Sequence, residues 1–497
     1  MKLKLQKLLI ANRGEIAIRV IRAAKELGIK SVAVYSEADE NSAHRREADE
    51  GLCIGPAEST QSYLNIERIL QAAKDSQADA IHPGYGFLSE REEFASAVER
   101  AGLVFVGPKS QHIRQMGDKV LARETVAKLG LPTVPGTGAI TDIKKGLEEV
   151  EQLLQNRSDF RFPLLVKAAG GGGGKGMRRV QKREELKSAL ERAQSESSKA
   201  FNNPTLFVER LIQKPRHIEV QVFGDGTHAL HFFERECSLQ RRHQKVMEEA
   251  LSPSISSEAR AKMTELSRKA TEAMGYQSAG TFEFIVSPEE DFYFLEMNTR
   301  IQVEHPVTEW ISQVDLVREQ LRVASGEPLS VQQSDIVPKG HSIELRLYAE
   351  DAEQDFIPQP GFLRRIEFPH WNGLRVDAAL MSAGEVSSFY DPMIAKLSVW
   401  GVNRSQAIAR ARLALQQTKL QGCVTNRAFL LAILESEAFV QAKVNTEFLE
   451  SPGWRKSKAL SDDAIAAICL KDFLERGAQL RDETLSSWQQ TEMGELR

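Results

Sequence analysis

Two apolar runs, TFEFIV (281–286) and FYFLEMN (292–298), flank the polar segment Ser287-Pro288-Glu289-Glu290. Aromatic-rich runs closed by a short turn predict a β-hairpin. With Val286 set opposite Asp291, Glu283 lies across from Phe294. Side chains two apart on a strand share a face, so Glu283, Glu296 and Asn298 point the same way. The two carboxylates are then diagonal neighbours about 7–8 Å apart at the backbone, near enough to share one divalent ion. Asn298 adds a neutral oxygen, and an oxygen-only set suits Mg²⁺ or Mn²⁺ with phosphate completing the shell. Arg300, Gln302 and Glu304 alternate directly after Asn298. An extended segment places this cation, amide and carboxylate on one side, beside the metal. They form a cradle for a small planar oxyanion with a base at hand.

At 497 residues the chain is long enough for about three domains. Its 27% charged residues are ordinary for a globular protein, and a net charge of −4 argues against nucleic acid as the main partner. Cys53, Cys237, Cys423 and Cys469 form no CxxC pair, which argues against a disulfide framework or zinc site and fits a reducing compartment. The opening MKLKLQKLLIANRGE carries an apolar run too short for a secretory signal, and no stretch approaches a membrane span. The expected location is cytoplasmic, or an organelle matrix after removal of a transit peptide.

The N-terminal pattern is strand (7–12), helix ending at Gly28, then strand (SVAVYS), with further strands near 79–82 and 103–106. This alternation predicts an α/β fold with a parallel sheet over residues 1–117. No GxGxxG follows the first strand, which disfavours dinucleotide binding. The loop His82-Pro83-Gly84-Tyr85-Gly86-Phe87 falls at a strand's C-terminal end, where open α/β sheets bind ligands. A second unit spans 118–330, and a mixed α/β part follows over 331–451 with a long helix at 405–417. A polar helical tail covers 452–497.

FPLLVK (162–167) followed by five glycines and Lys175 predicts a flexible loop whose amides close over phosphate, with Lys167 as a fixed cation at its base. Glu209, ending an apolar run, is placed to hold a ribose or an amine. In ERECSLQRRHQK (234–245), Gln240, His243 and Lys245 can bind phosphate or an anionic substrate, whereas Cys237 reads as a buried structural thiol.

Taken together these residues resemble the biotin carboxylases of the ATP-grasp superfamily. The matching segments are ANRGEIAIR, HPGYGFLSE, MGDK, KAAGGGGGKGMR, PRHIEVQV, ERECSLQRRHQK, GTFEF, FLEMNTRIQVEHPVTE, ELRLYAED and YDPMIAKL, in family order from residue 8 to about 450. The resemblance implies a Rossmann-like N-terminal domain, an ATP-grasp domain with a mobile lid near 133–207, and a C-terminal mixed domain. It implies ATP contacts from Lys119, Lys167, Gly173, Gly174, Glu209, Arg210, Ile212, His217, Gln240 and His243. Two Mg²⁺ or Mn²⁺ ions fall to Glu283, Glu296 and Asn298. Bicarbonate falls to Lys245, Arg300, Gln302 and Val303, with Glu304 as base, and biotin to Tyr85 and Arg346. Arg210 stands where bacterial relatives carry lysine.

No AMKM biotinylation turn is present; Ala261-Lys262-Met263 lies in a helical pattern and reads as surface. Biotin is therefore expected on another domain or chain. The implied partners are a second copy in a homodimer or larger complex, a biotin carboxyl carrier protein and a carboxyltransferase subunit. The tail is similar to the lead-in toward a carrier region in acyl-CoA carboxylase α subunits. A different ATP-grasp ligase keeps the nucleotide site but not the bicarbonate role of Arg300 and Glu304. A silent nucleotide-binding scaffold leaves their joint presence unexplained.

Overall fold

The computed structural model describes residues 5–169, 176–201, 203–242, 244–451, 453–454 and 470. Gly173, Gly174, His243 and nearly all of the 452–497 tail lie outside them.

The first sheet is parallel, in the order β3-β2-β1-β4-β5, from β1 (Lys7–Ile10), β2 (Lys30–Tyr35), β3 (Glu50–Cys53), β4 (Ala80–His82) and β5 (Val104–Phe105). β1 ends at Ile10, two residues short of the expected strand. Asn12 is spent instead on the loop after β4, donating from Nδ2 to the carbonyls of Pro83 (2.7 Å) and Tyr85 (2.8 Å). Gly84 is required there: its φ is +63° and a Cβ would stand 2.8 Å from the Asn12 amide nitrogen. The helix Gly14–Glu26 buries Ile16, Ala17, Val20 and Ile21 against this sheet and Leu316, Val317 and Leu321 beyond it.

A small antiparallel sheet follows, ordered β7-β6-β8, from β6 (Leu164–Ala168), β7 (Met177–Val180) and β8 (Leu206–Arg210). The helices Ile143–Asn156 and Leu186–Phe201 share a core with it that includes Val150, Phe160, Val166 and Val208.

The principal sheet is antiparallel and eight-stranded, ordered β13-β12-β9-β10-β11-β14 and then Met393–Gly401 and Leu374–Ala378. Its labelled strands are β9 (Arg216–Asp225), β10 (Ala229–Arg241), β11 (Gln244–Ala250), β12 (Gln277–Val286), β13 (Phe292–Asn298) and β14 (His341–Tyr348). The sheet runs on across residue 330, because β11 pairs with β14. One face of β9, β12 and β13 packs Ile218, Val220, Phe282, Phe284, Phe294 and Met297 on Met263, which the helix Ser257–Ala273 carries. Lys262 of that helix is exposed, so its AKM segment is ordinary surface.

The hairpin corrects the expected register. Val286 faces Phe292, not Asp291, and five residues rather than four form the loop. A β-bulge then follows, in which Phe284 faces Phe294 but Glu283 faces Glu296, leaving Leu295 as the extra residue. The two carboxylates are therefore direct cross-strand neighbours, closer than the diagonal pair expected.

Glu249 (2% exposed) ties β11 to the C-terminal part. It accepts from His341 Nε2 at 2.8 Å and from Arg404 Nε and Nη2 at 2.7 and 3.0 Å. Burial pushes its carboxyl upward, but His341 and Arg404 outweigh that and hold it below the usual range. Glu249→Gln is expected to destabilise the fold by about 2 kcal/mol at pH 7, because the half-buried Arg404 and the buried His341 lose their shared counter-charge. A depressed carboxylate contributes stability that is present above its unfolded pKa, about 4.3, and lost as pH falls through the folded value. Denaturant unfolding of both forms should therefore show the gap narrowing below about pH 4.

Candidate active site

Strand register builds the site as a row. Arg235 on β10 is paired with Glu219 on β9, Glu219 with Glu283 on β12, and Glu283 with Glu296 on β13. Three carboxylates thus stand side by side on the face opposite the aromatic core, an arrangement that repels itself. The segment HIEVQV explains how β9 joins in: Ile218, Val220 and Val222 fill the core, leaving His217, Glu219 and Gln221 on the other face.

Cations hold the row together. Lys245 Nζ lies 2.5 Å from Glu219, 2.9 Å from Glu283 and 2.8 Å from Glu304. His217 Nε2 is 3.0 Å from Glu283 Oε2. Burial opposes ionisation of Glu283, yet Lys245 and His217 hold it well below the usual carboxylate range. Glu304 behaves alike: against burial, Lys245, Arg346 and Arg235 keep it strongly ionised. Arg346 Nη2 sits 2.8 Å from Glu304 and also pairs with Glu248. Burial, lowered by Arg346 but raised again by Glu304, carries Glu248 up to about 8.

Glu296 lacks such direct support. Although its side chain is exposed to the cleft, desolvation by the surrounding protein first and the Glu283 charge second raise its carboxyl, with Lys119 and His217 in opposition. Two facing acids, one raised by the other, form the environment that a divalent cation relieves, so the donor chemistry fits Mg²⁺ or Mn²⁺. Asn298 turns its nitrogen to Glu283 (2.7 Å) and its oxygen to Arg300 (2.8 Å). Ligation through the amide oxygen requires that group to rotate.

Residues 299–304 are not a strand, yet Arg300, Gln302, Val303 and Glu304 all line the same cleft. Arg300 Nε donates to Glu90 at 2.9 Å, and Gln302 Nε2 donates to Glu283 at 3.0 Å. The cleft has a volume of about 640 Å³ and extends under the small sheet, where Lys119, Lys167, Glu209, Arg210, Ile212, His217 and Gln240 also line it. Gln240 Nε2 lies 2.7 Å from His217 Nδ1 and fixes that ring. Glu209 lines the cleft, and its carboxylate pairs with Lys167 Nζ (2.6 Å) and with Arg123, so it also anchors that lysine. Tyr85 does not line the cleft; its hydroxyl donates to Glu15, and Lys396 stands 5.9 Å from its ring centroid. Lys396 in turn donates to the Val303 carbonyl at 2.6 Å.

Sequence reasoning passed over Glu219, Arg235, Arg123, Glu90, Glu248 and Lys396. Only Glu219 carried a local signal, the period-two alternation of HIEVQV. The others are brought in by pairing between distant segments.

Three family models match in succession: the biotin carboxylase N-terminal domain over 4–113, the carbamoyl-phosphate synthase L chain ATP-binding domain over 118–332, and the biotin carboxylase C-terminal domain over 344–451. The biotin carboxylase of Pseudomonas aeruginosa is 47% identical over 447 residues, covering 90% of this chain and 98% of that one. The chain belongs to the biotin carboxylase family. Among solved structures, the biotin carboxylase domain dimer of Hydrogenobacter thermophilus 2-oxoglutarate carboxylase, in complex with MgADP, ADP and bicarbonate, has a TM-score of 0.85. It is 43% identical and covers 92% of this chain and 100% of its own. The Campylobacter jejuni biotin carboxylase–β-γ-ATP complex also has a TM-score of 0.85, at 41% identity, covering 90% of this chain and 99% of its own. As a biotin carboxylase the chain is an ATP-dependent ligase that performs the first half-reaction of a biotin-dependent carboxylase. Among the described residues, no helix is long and apolar enough to cross a membrane.

Glu296→Gln removes one of the facing acids without breaking the Lys245 cluster. Manganese binding followed by electron paramagnetic resonance should weaken about tenfold or more in this variant, as loss of a charged ligand implies. Glu90→Gln should leave it within about twofold.

Proposed function

We propose that this site carboxylates biotin with bicarbonate through carboxyphosphate, with residue roles that follow from the cleft. Lys119, Lys167, His217 and Gln240 receive the nucleotide, while Arg210 to Ile212 border it along the edge of β8. Glu283 and Glu296, with Asn298 after amide rotation, hold Mg²⁺ or Mn²⁺. Such ions, when bound, neutralise charge on the transferring phosphate.

Lys245, Arg300, Gln302 and the Val303 amide grip bicarbonate beside the nucleotide. Glu304 takes its proton, and the freed oxyanion attacks the γ-phosphorus of ATP as the bond to ADP breaks. Carboxyphosphate then splits into CO₂ and phosphate, which takes the N1 proton of biotin. Arg346 stabilises the enolate that attacks CO₂. The cleft must exclude water because carboxyphosphate is hydrolysed readily.

The observation that carries this reading is the position of Glu304. It is 2% exposed, ionised, and shared between Lys245 at 2.8 Å and Arg346 at 2.8 Å. A base placed between the cation for bicarbonate and the cation for biotin serves one anion after another. Glu283 also accepts from Gln302, which joins the metal acids to the bicarbonate groups. Biotin is supplied by a carrier domain or chain, with a carboxyltransferase downstream, and two copies pair in a dimer. The dimeric Hydrogenobacter domain supports the last point, and the chain spans 61% of the mouse methylcrotonoyl-CoA carboxylase α subunit it matches.

Purified protein should release ADP only when bicarbonate is present, and faster with free biotin. Arg300→Ala and Glu304→Gln should keep ATP affinity within about threefold while biotin carboxylation falls by about 10²–10⁴. Unchanged carboxylation in both variants would falsify the assigned roles.

A further inference from the structure

Arg235 is wholly buried, at 0% exposure, and does not line the cleft. A guanidinium carries five N–H donors, and here five hydrogen bonds are made. Nε donates to Glu219 Oε1 at 2.5 Å. Nη1 donates to Gln221 Oε1 and Thr308 Oγ1, each at 2.8 Å. Nη2 donates to Thr281 Oγ1 at 3.2 Å and to Gln302 Oε1 at 2.5 Å. Three partners belong to β9 and β12. The other two lie in the segment after β13 and in the helix His305–Ser312.

The bond to Gln302 has a directional consequence. A carboxamide has one acceptor end and one donor end, and either can face a ligand unless a neighbour decides. Arg235 takes the oxygen, so Nε2 must point the other way, where it meets Glu283 Oε1 at 3.0 Å at the cleft surface. An anion in the cleft therefore meets an N–H donor at Gln302. With the amide reversed, it would meet a carbonyl oxygen and be repelled. A second consequence runs through Glu219, whose Oε1 is held by Arg235 while Oε2 accepts from Lys245 at 2.5 Å. Arg235 thereby sets the orientation of the acid that aims Lys245.

We propose that Arg235 is a positioning residue for bicarbonate: from the buried end of the carboxylate row it locks the Gln302 amide as a donor and steers Lys245 through Glu219. This rests on the reading of Gln302 and Lys245 as bicarbonate partners. A buried arginine serving only to stabilise the fold would be indifferent to which end of Gln302 faces the cleft.

The test uses the full chain and separates bicarbonate from nucleotide. Arg235→Lys keeps the charge but has three donors and no planar fork. In that variant KM for bicarbonate should rise about tenfold or more while ATP affinity stays within about twofold and kcat at saturating bicarbonate falls by less than about fivefold. Thr308→Val, which frees one Nη1 donor at a residue that does not line the cleft, should raise the same KM about threefold, and it stands in should the lysine variant fail to fold. Gln302→Ala must raise KM for bicarbonate by itself; if it does not, the assignment of Gln302 fails, and this proposal with it. In the Gln302→Ala background, Arg235→Lys or Thr308→Val should add about twofold at most, because the group being oriented is gone. The proposal is overturned alone if Gln302→Ala raises KM and neither Arg235→Lys nor Thr308→Val does, or if their effects multiply fully in the double variants.

Discussion

Three carboxylates in register across three adjacent strands are the constraint on which the rest of the site depends. Glu219, Glu283 and Glu296 stand one beside the next, and like charges directly opposite on a sheet destabilise it. Burial sharpens the problem for Glu219 and Glu283, which water cannot screen, whereas Glu296 is exposed. The fold answers from both sides. Arg235 and Lys245 draw in Glu219, Lys245 and His217 draw in Glu283, and Glu296 is left with the least compensation. A row stabilised at one end and weakly compensated at the other suits the cation proposed for it. It also holds Lys245 and Gln302, the groups proposed for bicarbonate, beside the metal acids.

That arrangement explains why one eight-stranded sheet runs from the central into the C-terminal region. The acids come from β9, β12 and β13, Lys245 from β11 and Arg346 from β14. Their relative positions are set by backbone pairing rather than by loops, which holds them more precisely than loops would. The N-terminal part contributes from outside the sheet. Glu90 holds Arg300, while Glu15 meets both Tyr85 and Lys396, whose ammonium grips the Val303 carbonyl. The segment 300–304, proposed for bicarbonate, is therefore fastened by Glu90 and Lys396 from distant parts of the chain, with Glu15 behind Lys396.

Much of this was legible in the sequence, and the failures have definite causes. The period-two spacing of Glu296 and Asn298, with Glu283 brought beside them by hairpin pairing, exposed the metal candidates because side-chain alternation survives in any strand. The register did not, since the loop length and the Leu295 bulge are backbone choices that leave no trace in side-chain type. The bulge changed the geometry from diagonal to opposed, yet left both acids on the same face. Glu219 was visible in HIEVQV but sat between core residues that read as a plain strand. Arg235 was hidden in a charge-dense run that turned out to be the interior half of β10. Glu209 ends its strand as expected but faces Lys167 and Arg123, partners that only tertiary contact supplies. Tyr85 was placed at the right end of the right strand, and its hydroxyl was then claimed by Glu15.

The most direct measurement is the anomalous scattering map of crystals holding Mn²⁺, a non-hydrolysable ATP analogue and bicarbonate. A manganese peak is expected about 2.0–2.3 Å from carboxylate oxygens of both Glu283 and Glu296. Bicarbonate density is expected within hydrogen-bond reach of Arg300, Gln302 and Lys245. Manganese held away from that pair of acids, or bicarbonate seated elsewhere with Gln302 turned from it, would contradict the account.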